Sequence, residues 1–234
     1  ALSLTGEPIN YPKINEIINL FHKEKISTFL VTNGQYPEEL KDLPPITQLY
    51  ISLDAPSKEI LKKVSQPLFT DHWERLNKSL EYLSEKKERT CLRFTLMREI
   101  NMCDLEGYSK LIQKADPDFL EIKAYMFVGS SRQRLDLKNM PFHEDMVNFS
   151  KALVKYLPDY EIVAEHIPSR IVLLAKKKNK KNGKWHTWID FDKFFNKEED
   201  YSRETPETGL SGKGTKERMK VDEKTEELEF WKED

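Results

Sequence analysis

Cysteine and glycine are scarce in this chain, with two Cys and eight Gly among 234 residues. Two thiols, Cys91 and Cys103, close at most one bridge, which excludes a disulfide scaffold and makes a reducing, cytoplasmic setting the expectation. No apolar run approaches the roughly 20 residues of a membrane span, and Ala1-Leu2-Ser3-Leu4-Thr5 lacks the basic and apolar regions of a signal peptide. An excess of charge of either sign is missing too: 38 Lys and Arg oppose 40 Asp and Glu, a formal net charge of −2. Nucleic-acid binding therefore needs a local basic patch. No internal repeat of fixed period is visible. What is present is a length sufficient for one substantial domain, with or without a tail. The chain opens inside a strand pattern and without Met, which makes a fragment of a longer protein the expectation.

Leu2 and Leu4 alternate with Ser3 and Thr5 up to Gly6-Glu7-Pro8, the pattern of a strand entering a turn. Ile14, Ile17, Ile18 and Phe21 recur at helical spacing and predict a helix over 11–25. Further strands are expected at 27–31, 48–53, 91–96 and 119–125, with helices at 57–64, from 70 or 71 to 87, at 105–115 and at 142–156. Sustained alternation of strand and helix argues for βαβ units and a parallel sheet, open or curled into a barrel. Two strands that need not follow the parallel pattern are expected at 160–165 and 170–176. Six Lys within residues 176–184, with Asn182-Gly183 at the tip, read as an exposed basic hairpin leading into Trp185-His186-Thr187-Trp188-Ile189. From about 197 the composition turns polar, and a tail is expected, disordered or docked through Phe230-Trp231. The expected division is a barrel part over 1–160, strands and hairpin over 161–196, and a tail over 197–234.

In parallel α/β folds, ligands bind at the carboxyl ends of the strands, where successive loops converge. Those ends carry Gly6-Glu7-Pro8, Thr32-Asn33-Gly34, Ser52 and Asp54, then Lys123, Tyr125 and the Gly129-Ser130-Ser131-Arg132 loop. Singly, each is a turn or a helix cap more often than a site. Their joint placement at one rim points to a binding site.

The order Gly6-Glu7-Pro8, Thr32-Asn33-Gly34, Ser52-Leu53-Asp54-Ala55 resembles the radical S-adenosylmethionine superfamily, whose partial (β/α)6 barrel carries Gly-Glu-Pro after its second strand. The run 121–129 from Glu121 to Gly129 and Trp185-His186-Thr187-Trp188-Ile189-Asp190 narrow this to a resemblance to the tRNA 4-demethylwyosine synthase family. The resemblance implies a TIM-type barrel incomplete at its N-terminus, with a C-terminal β-hairpin extension. It also implies a lyase in wybutosine biosynthesis, inactive as an isolated fragment. A [4Fe–4S] cluster would reduce S-adenosylmethionine, the resulting radical would take hydrogen from the methyl group of N1-methylguanosine-37 in tRNA-Phe, and two pyruvate carbons would close the third ring. Gly6, Glu7 and Pro8 would receive the ammonium of the cofactor, while Asn33, Ser52 and Asp54 would bond its ribose or amino-acid part.

Lys123 is a candidate substrate contact, as a Schiff-base amine or as a carboxylate partner. A pairing with Glu121 is the simpler account, with the two side chains expected on opposite strand faces. The cluster calls for three thiolates spaced C-x3-C-x2-C; Cys91 and Cys103 cannot supply them, so cysteines upstream of this chain are the expected ligands and no metal ligand is expected within it. Eukaryotic members of the family carry a flavodoxin-like FMN domain before the radical module and archaeal members do not; that domain or a separate reductase would be the electron donor. Candidate RNA contacts are Arg132 and Arg134 at the rim and Lys176, Lys177, Lys178, Lys180, Lys181 and Lys184 in the hairpin. Tyr125, Phe127, Trp185 and Trp188 are available to receive a base, the two Trp being better suited to a core. His166 and His186 lack a third ligand at motif spacing. The alternatives are a radical enzyme with another substrate and a cluster-less RNA-binding module.

Overall fold

The computed structural model describes residues 1–2 and 6–206. A 3-10 turn over Pro8–Asn10 leads into α1 (Ile14–Lys23), whose Ile14 and Ile18 face the core, and then β1 (Phe29–Thr32). The connection to β2 (Gln48–Ser52) contains a short helix, α2 (Pro37–Lys41), that the sequence pattern did not announce. Two helices follow, α3 (Lys58–Ser65) and α4 (His72–Glu85), and then β3 (Arg89–Leu96). Ser57 caps α3 by accepting a hydrogen bond from the Ile60 N–H. Asp71 stands at the cap position of α4, but its carboxylate accepts from Arg75 Nε instead.

Next come α5 (Leu105–Ala115), capped by Asp104 through the Gly107 N–H, and β4 (Phe119–Ala124). A loop with a 3-10 turn over Gly129–Gln133 precedes α6 (His143–Leu153), β5 (Tyr160–His166) and β6 (Ile171–Lys176). The remaining described elements are short: β7 (Lys180–Lys181), β8 (Lys184–Trp185), β9 (Trp188–Ile189), α7 (Phe191–Phe195) and β10 (Ser202–Arg203).

Six strands form one sheet in the order β1-β2-β3-β4-β6-β5. β1 to β4 are parallel, β6 runs antiparallel to β4, and β5 antiparallel to β6. The sheet therefore continues across the expected boundary at 160/161, since β5 starts at Tyr160 and β6 pairs directly with β4. Leu2 bridges Leu30 in parallel, and residues 3–5 of the strand expected there lie outside the described residues.

Alternation along the strands separates two faces. Leu49, Ile51, Leu92, Phe94, Leu120 and Ile122 are fully buried beneath α1, α2, α4, α5 and α6 in one continuous core. The opposite face carries Tyr50, Ser52, Arg93, Thr95, Glu121 and Lys123, all half-buried. A sheet with helices on one side and polar groups on the other is an open, partial barrel whose inner face is free to bind.

The Trp185–Asp190 run crosses the amino-terminal end of this inner face. Buried Arg89 pins it there, donating from Nη2 to the Thr187 carbonyl at 2.7 Å while its guanidinium lies over the Phe119 ring. Trp188 is 45% exposed, so it is no core residue; Arg203 lies over its ring. Part of the expected tail is ordered against the sheet: Ser202–Arg203 pairs with Trp188–Ile189, and buried Tyr201 donates to the Thr47 carbonyl and accepts from the Arg89 N–H. Residues 207–234, including Phe230-Trp231, lie outside the described residues.

Gly34 has φ +71, and an added Cβ would meet Leu76 Cδ1 at 3.0 Å and Ile51 Cγ2 at 3.3 Å. Both the left-handed backbone and the contact disfavour a side chain. We expect Gly34→Ala to lower stability by about 2 kcal/mol in urea denaturation; a loss indistinguishable from zero would show that this turn tolerates a side chain.

Candidate functional site

The carboxyl ends of β1 and β2 and the turn at Gly6-Glu7-Pro8 meet around a cleft of about 200 Å³ lined by Glu7, Asn33, Ser52 and Asp54, with Tyr36 and Phe69 among its walls. Four of the sequence-derived site residues thus converge. Glu7 Oε2 accepts the Asn33 N–H at 2.8 Å, while its other oxygen, Oε1, is buried without a hydrogen-bond partner. Burial pushes the Glu7 carboxyl above its usual range, opposed by the Asn33 N–H and the Thr32 hydroxyl. A buried carboxylate oxygen lacking a donor is a ready acceptor for an ammonium or hydroxyl group. Gly6 is exposed with φ +72, and Pro8 starts the 3-10 turn that seats Ile9 in the core. Asn33 Oδ1 accepts the Gln35 N–H at 3.0 Å, an Asx turn that fixes this side chain at the strand end.

Asp54 joins two strand ends. Its Oδ1 accepts the Thr95 N–H at 2.7 Å, and its carbonyl accepts from Asn101 Nδ2 at 2.8 Å. Asn101 is fully buried and also donates to the Thr95 carbonyl and accepts the Met97 N–H, which makes it a positioning residue absent from the sequence-based set. Burial raises the Asp54 carboxyl from 3.8 to about 6, against the lowering influence of Thr95 and Arg93.

Lys123 lies on the inner face two strands away, in register with Thr95. Residues two apart on a strand share a face, and the half-buried, buried, half-buried sequence at 121–123 follows that rule. Glu121 and Lys123 are therefore on the same face, not on opposite ones. Glu121 nonetheless pairs with Arg93 on β3 (Nε to Oε1, 3.0 Å). Arg93 is absent from the sequence-based set, and Glu121 enters it only as a partner of Lys123, although polar residues at alternate positions 93, 95, 121 and 123 of otherwise apolar strands were the available signal.

The basic candidates separate into two ends of the molecule. Arg132 and Arg134 lie on the loop after β4, at the carboxyl-end rim; Arg132 donates from Nε to the Phe127 carbonyl and lies over the Phe127 ring, while Arg134 is exposed. The lysine run lies at the opposite end, because β6 is antiparallel: Ala175 pairs with Phe119, the first residue of β4. Four residue rises separate Phe119 from Lys123, roughly 13 Å at about 3.3 Å each. The Asn182-Gly183 turn is as expected, both residues having positive φ. The lysines are not bare, however. Lys176 pairs with Asp116, Lys178 with Asp118 at 2.6 Å, Lys180 with Glu161 at 3.1 Å, Lys181 with Asp200 and Lys184 with Glu204 at 2.7 Å. Lys177 donates to the Pro158 carbonyl. His166 and His186 bond locally, to Ser169 Oγ and the Lys184 carbonyl.

The sequence models for the radical SAM superfamily and for wyosine base formation match residues 2–112 and 114–176 respectively. An S-adenosyl-L-methionine-dependent tRNA 4-demethylwyosine synthase of Xenopus laevis is 49% identical over 195 residues, 83% of this chain and 26% of the relative. The chain belongs to the tRNA 4-demethylwyosine synthase family. The Schizosaccharomyces pombe synthase is 44% identical over 92% of this chain and 34% of its own length. This chain thus spans about a quarter to a third of the curated relatives it matches.

Among solved structures, TYW1 with a lysine-pyruvate adduct bound is 35% identical with a TM-score of 0.69, and an archaeal TYW1 is 34% identical with a TM-score of 0.64; each match covers 77% of this chain and 57% of the other. The coproporphyrinogen III oxidase HemN of Escherichia coli, 13% identical at a TM-score of 0.51 over 75% of this chain and 42% of that one, shares the fold.

For such a family member, the Glu7 to Asp54 cleft fits S-adenosylmethionine: an ammonium suits the orphaned Glu7 Oε1, and short polar side chains suit hydroxyls. An iron–sulfur cluster does not fit the residues described here. Cys91 is buried in the sheet, Cys103 is exposed near α5, and no group of three or more potential metal ligands exists among the described residues. Nor is any described helix long and apolar enough to cross a membrane.

The raised Asp54 carboxyl has a pH signature. Folded protein binds the proton more tightly than unfolded chain, so the stability it contributes is full below 3.8 and is lost as pH rises to about 6. The loss is at most about 3 kcal/mol. Asp54→Asn keeps the acceptor for Thr95 and removes the titration. The difference in urea-denaturation stability between variant and parent should therefore grow across that window in the variant's favour; a difference independent of pH would assign the group an ordinary carboxyl.

Proposed function

We propose that this chain forms the S-adenosylmethionine-binding and substrate-facing part of a tRNA 4-demethylwyosine synthase, a lyase that builds the third ring on N1-methylguanosine-37 of tRNA-Phe from pyruvate carbons. The observation that carries the proposal is the convergence of Glu7, Asn33, Ser52 and Asp54 on one cleft, with a buried Glu7 oxygen left without a donor, in a chain of this family. Bound S-adenosylmethionine supplies a hydrogen-abstracting radical once reduced.

The part of this chain is to hold and orient. Glu7 accepts the ammonium, Asn33 and Ser52 bond ribose or amino-acid oxygens, and Asp54 anchors Thr95 so that β2 and β3 end at one level. Lys123 faces the substrate side of the barrel. The cluster is held by cysteines outside this chain, consistent with the dispersed Cys91 and Cys103, and electrons come from an FMN domain or a reductase, also outside it. On this basis the isolated chain is inactive in turnover.

In the complete, cluster-reconstituted protein, Glu7→Gln should weaken S-adenosylmethionine binding about tenfold or more and Asp54→Ala should weaken it too, both with tRNA affinity nearly intact. Unchanged cofactor affinity in both variants would remove the cleft from the cofactor site. Equilibrium dialysis with labelled cofactor reads the first quantity, filter binding the second.

Arg132 and Arg134, at the same rim as the cleft, are proposed to meet tRNA near the reacting base, and the hairpin lysines to reach phosphates farther along the molecule. Each hairpin lysine must exchange a carboxylate or carbonyl to do so. Arg134→Ala should therefore lower the slope of log affinity against log salt by about one, more than any single hairpin lysine does. A larger effect from the lysines would move the main RNA surface to the amino-terminal end of the sheet.

A further inference from the structure

The mouth of the cofactor cleft carries an apolar side chain that the cleft does not enclose. Leu68 is 95% exposed, against 57% for Leu20 and Val128, the next most exposed large apolar residues described. It stands between α3 and α4 on the loop Gln66-Pro67-Leu68-Phe69, which borders both the cofactor cleft and a second groove of about 760 Å³.

The chain holds Leu68 out from both sides. Gln66 closes α3 in left-handed backbone, φ +46, with its N–H on the Lys62 carbonyl, and the ring of Pro67 fixes its own φ. Phe69 meets the Tyr36 ring edge-on at 5.7 Å and carries the Arg75 guanidinium over its face at 4.0 Å; its carbonyl accepts from Nδ1 of buried His72 at 3.1 Å. An isolated exposed leucine on a surface needs no explanation. One held between anchored neighbours at the mouth of a cofactor cleft is placed to meet a partner.

The charges near it select the partner. Lys62 and Lys63, exposed in the last turn of α3, form no ion pair or side-chain hydrogen bond among the described residues. Glu59, one turn earlier, bonds to Ser57 at the start of the helix. Val64 of the same helix packs on the cluster of Met97, Tyr125 and Met140, as do Phe127 and Leu135, so α3 adjoins the loop of Arg132 and Arg134. Neither arginine has a carboxylate partner among the described residues, in contrast to Lys178, Lys180 and Lys184 of the hairpin. Cations left open in this way suit phosphates, and an apolar side chain among them suits the face of a base. A base that undergoes chemistry must leave its stack, and proteins that unstack bases insert Leu, Ile, Met, Phe or Pro between them.

We propose that Leu68 is a wedge that enters the RNA stack beside the reacting nucleotide and fills the space it leaves, with Lys62 and Lys63 on the flanking phosphates. This rests on the synthase reading above, which supplies the RNA; no covalent bond forms or breaks at the loop.

The test uses the complete, cluster-reconstituted protein and a stem-loop RNA copying the tRNA loop around N1-methylguanosine-37, with 2-aminopurine as its 3′ neighbour. The fluorescence of 2-aminopurine rises when the base unstacks. Binding of the parent should produce that rise. Leu68→Ser should abolish the rise and weaken RNA binding about tenfold, whereas Leu68→Met should keep both near the parent. Lys62→Gln and Lys63→Gln should each lower the slope of log affinity against log salt by about one and leave the rise in the bound complex. Leu20→Ser on α1, the apolar control, should change nothing. Circular dichroism confirms the fold of each variant, and equilibrium dialysis should find S-adenosylmethionine affinity unchanged in all of them.

A parent complex without the rise overturns the proposal, as does folded Leu68→Ser that keeps the rise and the parent affinity. Loss of S-adenosylmethionine by Leu68→Ser would make the leucine a cover for the cofactor and overturn it too. An unaltered salt slope in both lysine variants would remove α3 from the RNA surface. Failure of the synthase reading shows separately, as absence of RNA binding by the complete parent protein.

Discussion

The parallel register of β1 to β4 governs where every reactive side chain of this protein lies. Because alternate residues leave opposite faces, one ladder simultaneously buries Leu49, Ile51, Leu92, Phe94, Leu120 and Ile122 under five helices and turns Ser52, Arg93, Thr95, Glu121 and Lys123 inward. A slip of one residue would exchange the two sets. Each buried Leu, Ile or Phe contributes about 1.5–3 kcal/mol relative to exposure, so the outer core enforces the register, and the register aligns the charged groups of the inner face. Asp54 and Asn101 lock the strand ends to one another at the rim where the cofactor cleft opens.

Electrostatics follow from the same geometry. Carboxylates with raised affinity for protons, Glu7 and Asp54, stand at the carboxyl ends of the strands, and the Arg93–Glu121 pair with Lys123 lies just inside. The lysine-rich segment lies at the other end and is answered by Asp116, Asp118, Glu161, Asp200 and Glu204. A near-zero net charge therefore reflects local neutralisation, and the rim arginines are a more accessible cationic surface than the lysine count implies. Exposed ion pairs contribute at most about 1 kcal/mol each, so the pairing constrains where the lysines point more than it stabilises the fold.

Much of the architecture was readable along the chain. Helical spacing at Ile14, Ile17, Ile18 and Phe21, and apolar runs ending in Thr32-Asn33-Gly34 and Ser52-Leu53-Asp54, announce the elements because the signal is local and periodic. The residues around the cofactor cleft were readable for the same reason, since parallel connectivity brings strand ends to one rim. Helix α2 was not, being a five-residue turn within a Pro-containing connection. Arg93 and Asn101 also escaped, because nothing local distinguishes a residue whose partners, Glu121, Asp54 and Thr95, come from other segments.

Two cysteines and a balanced charge, the features in shortest supply, determined by themselves that no disulfide scaffold is possible and that this chain's own thiols cannot make a three-cysteine cluster site. Sequence also determined the order of strands and helices and the residues at the strand ends. Only the tertiary structure decided that Glu121 turns to Arg93 and not to its face-mate Lys123, that the lysine run stands at the end away from the cleft, and that Tyr201 and Ser202 pack against the sheet. The physical reason is that local pattern sets which face a side chain takes within its own element, whereas partners, depth of burial and the end of the sheet a loop reaches depend on strand direction and on residues far away in the chain.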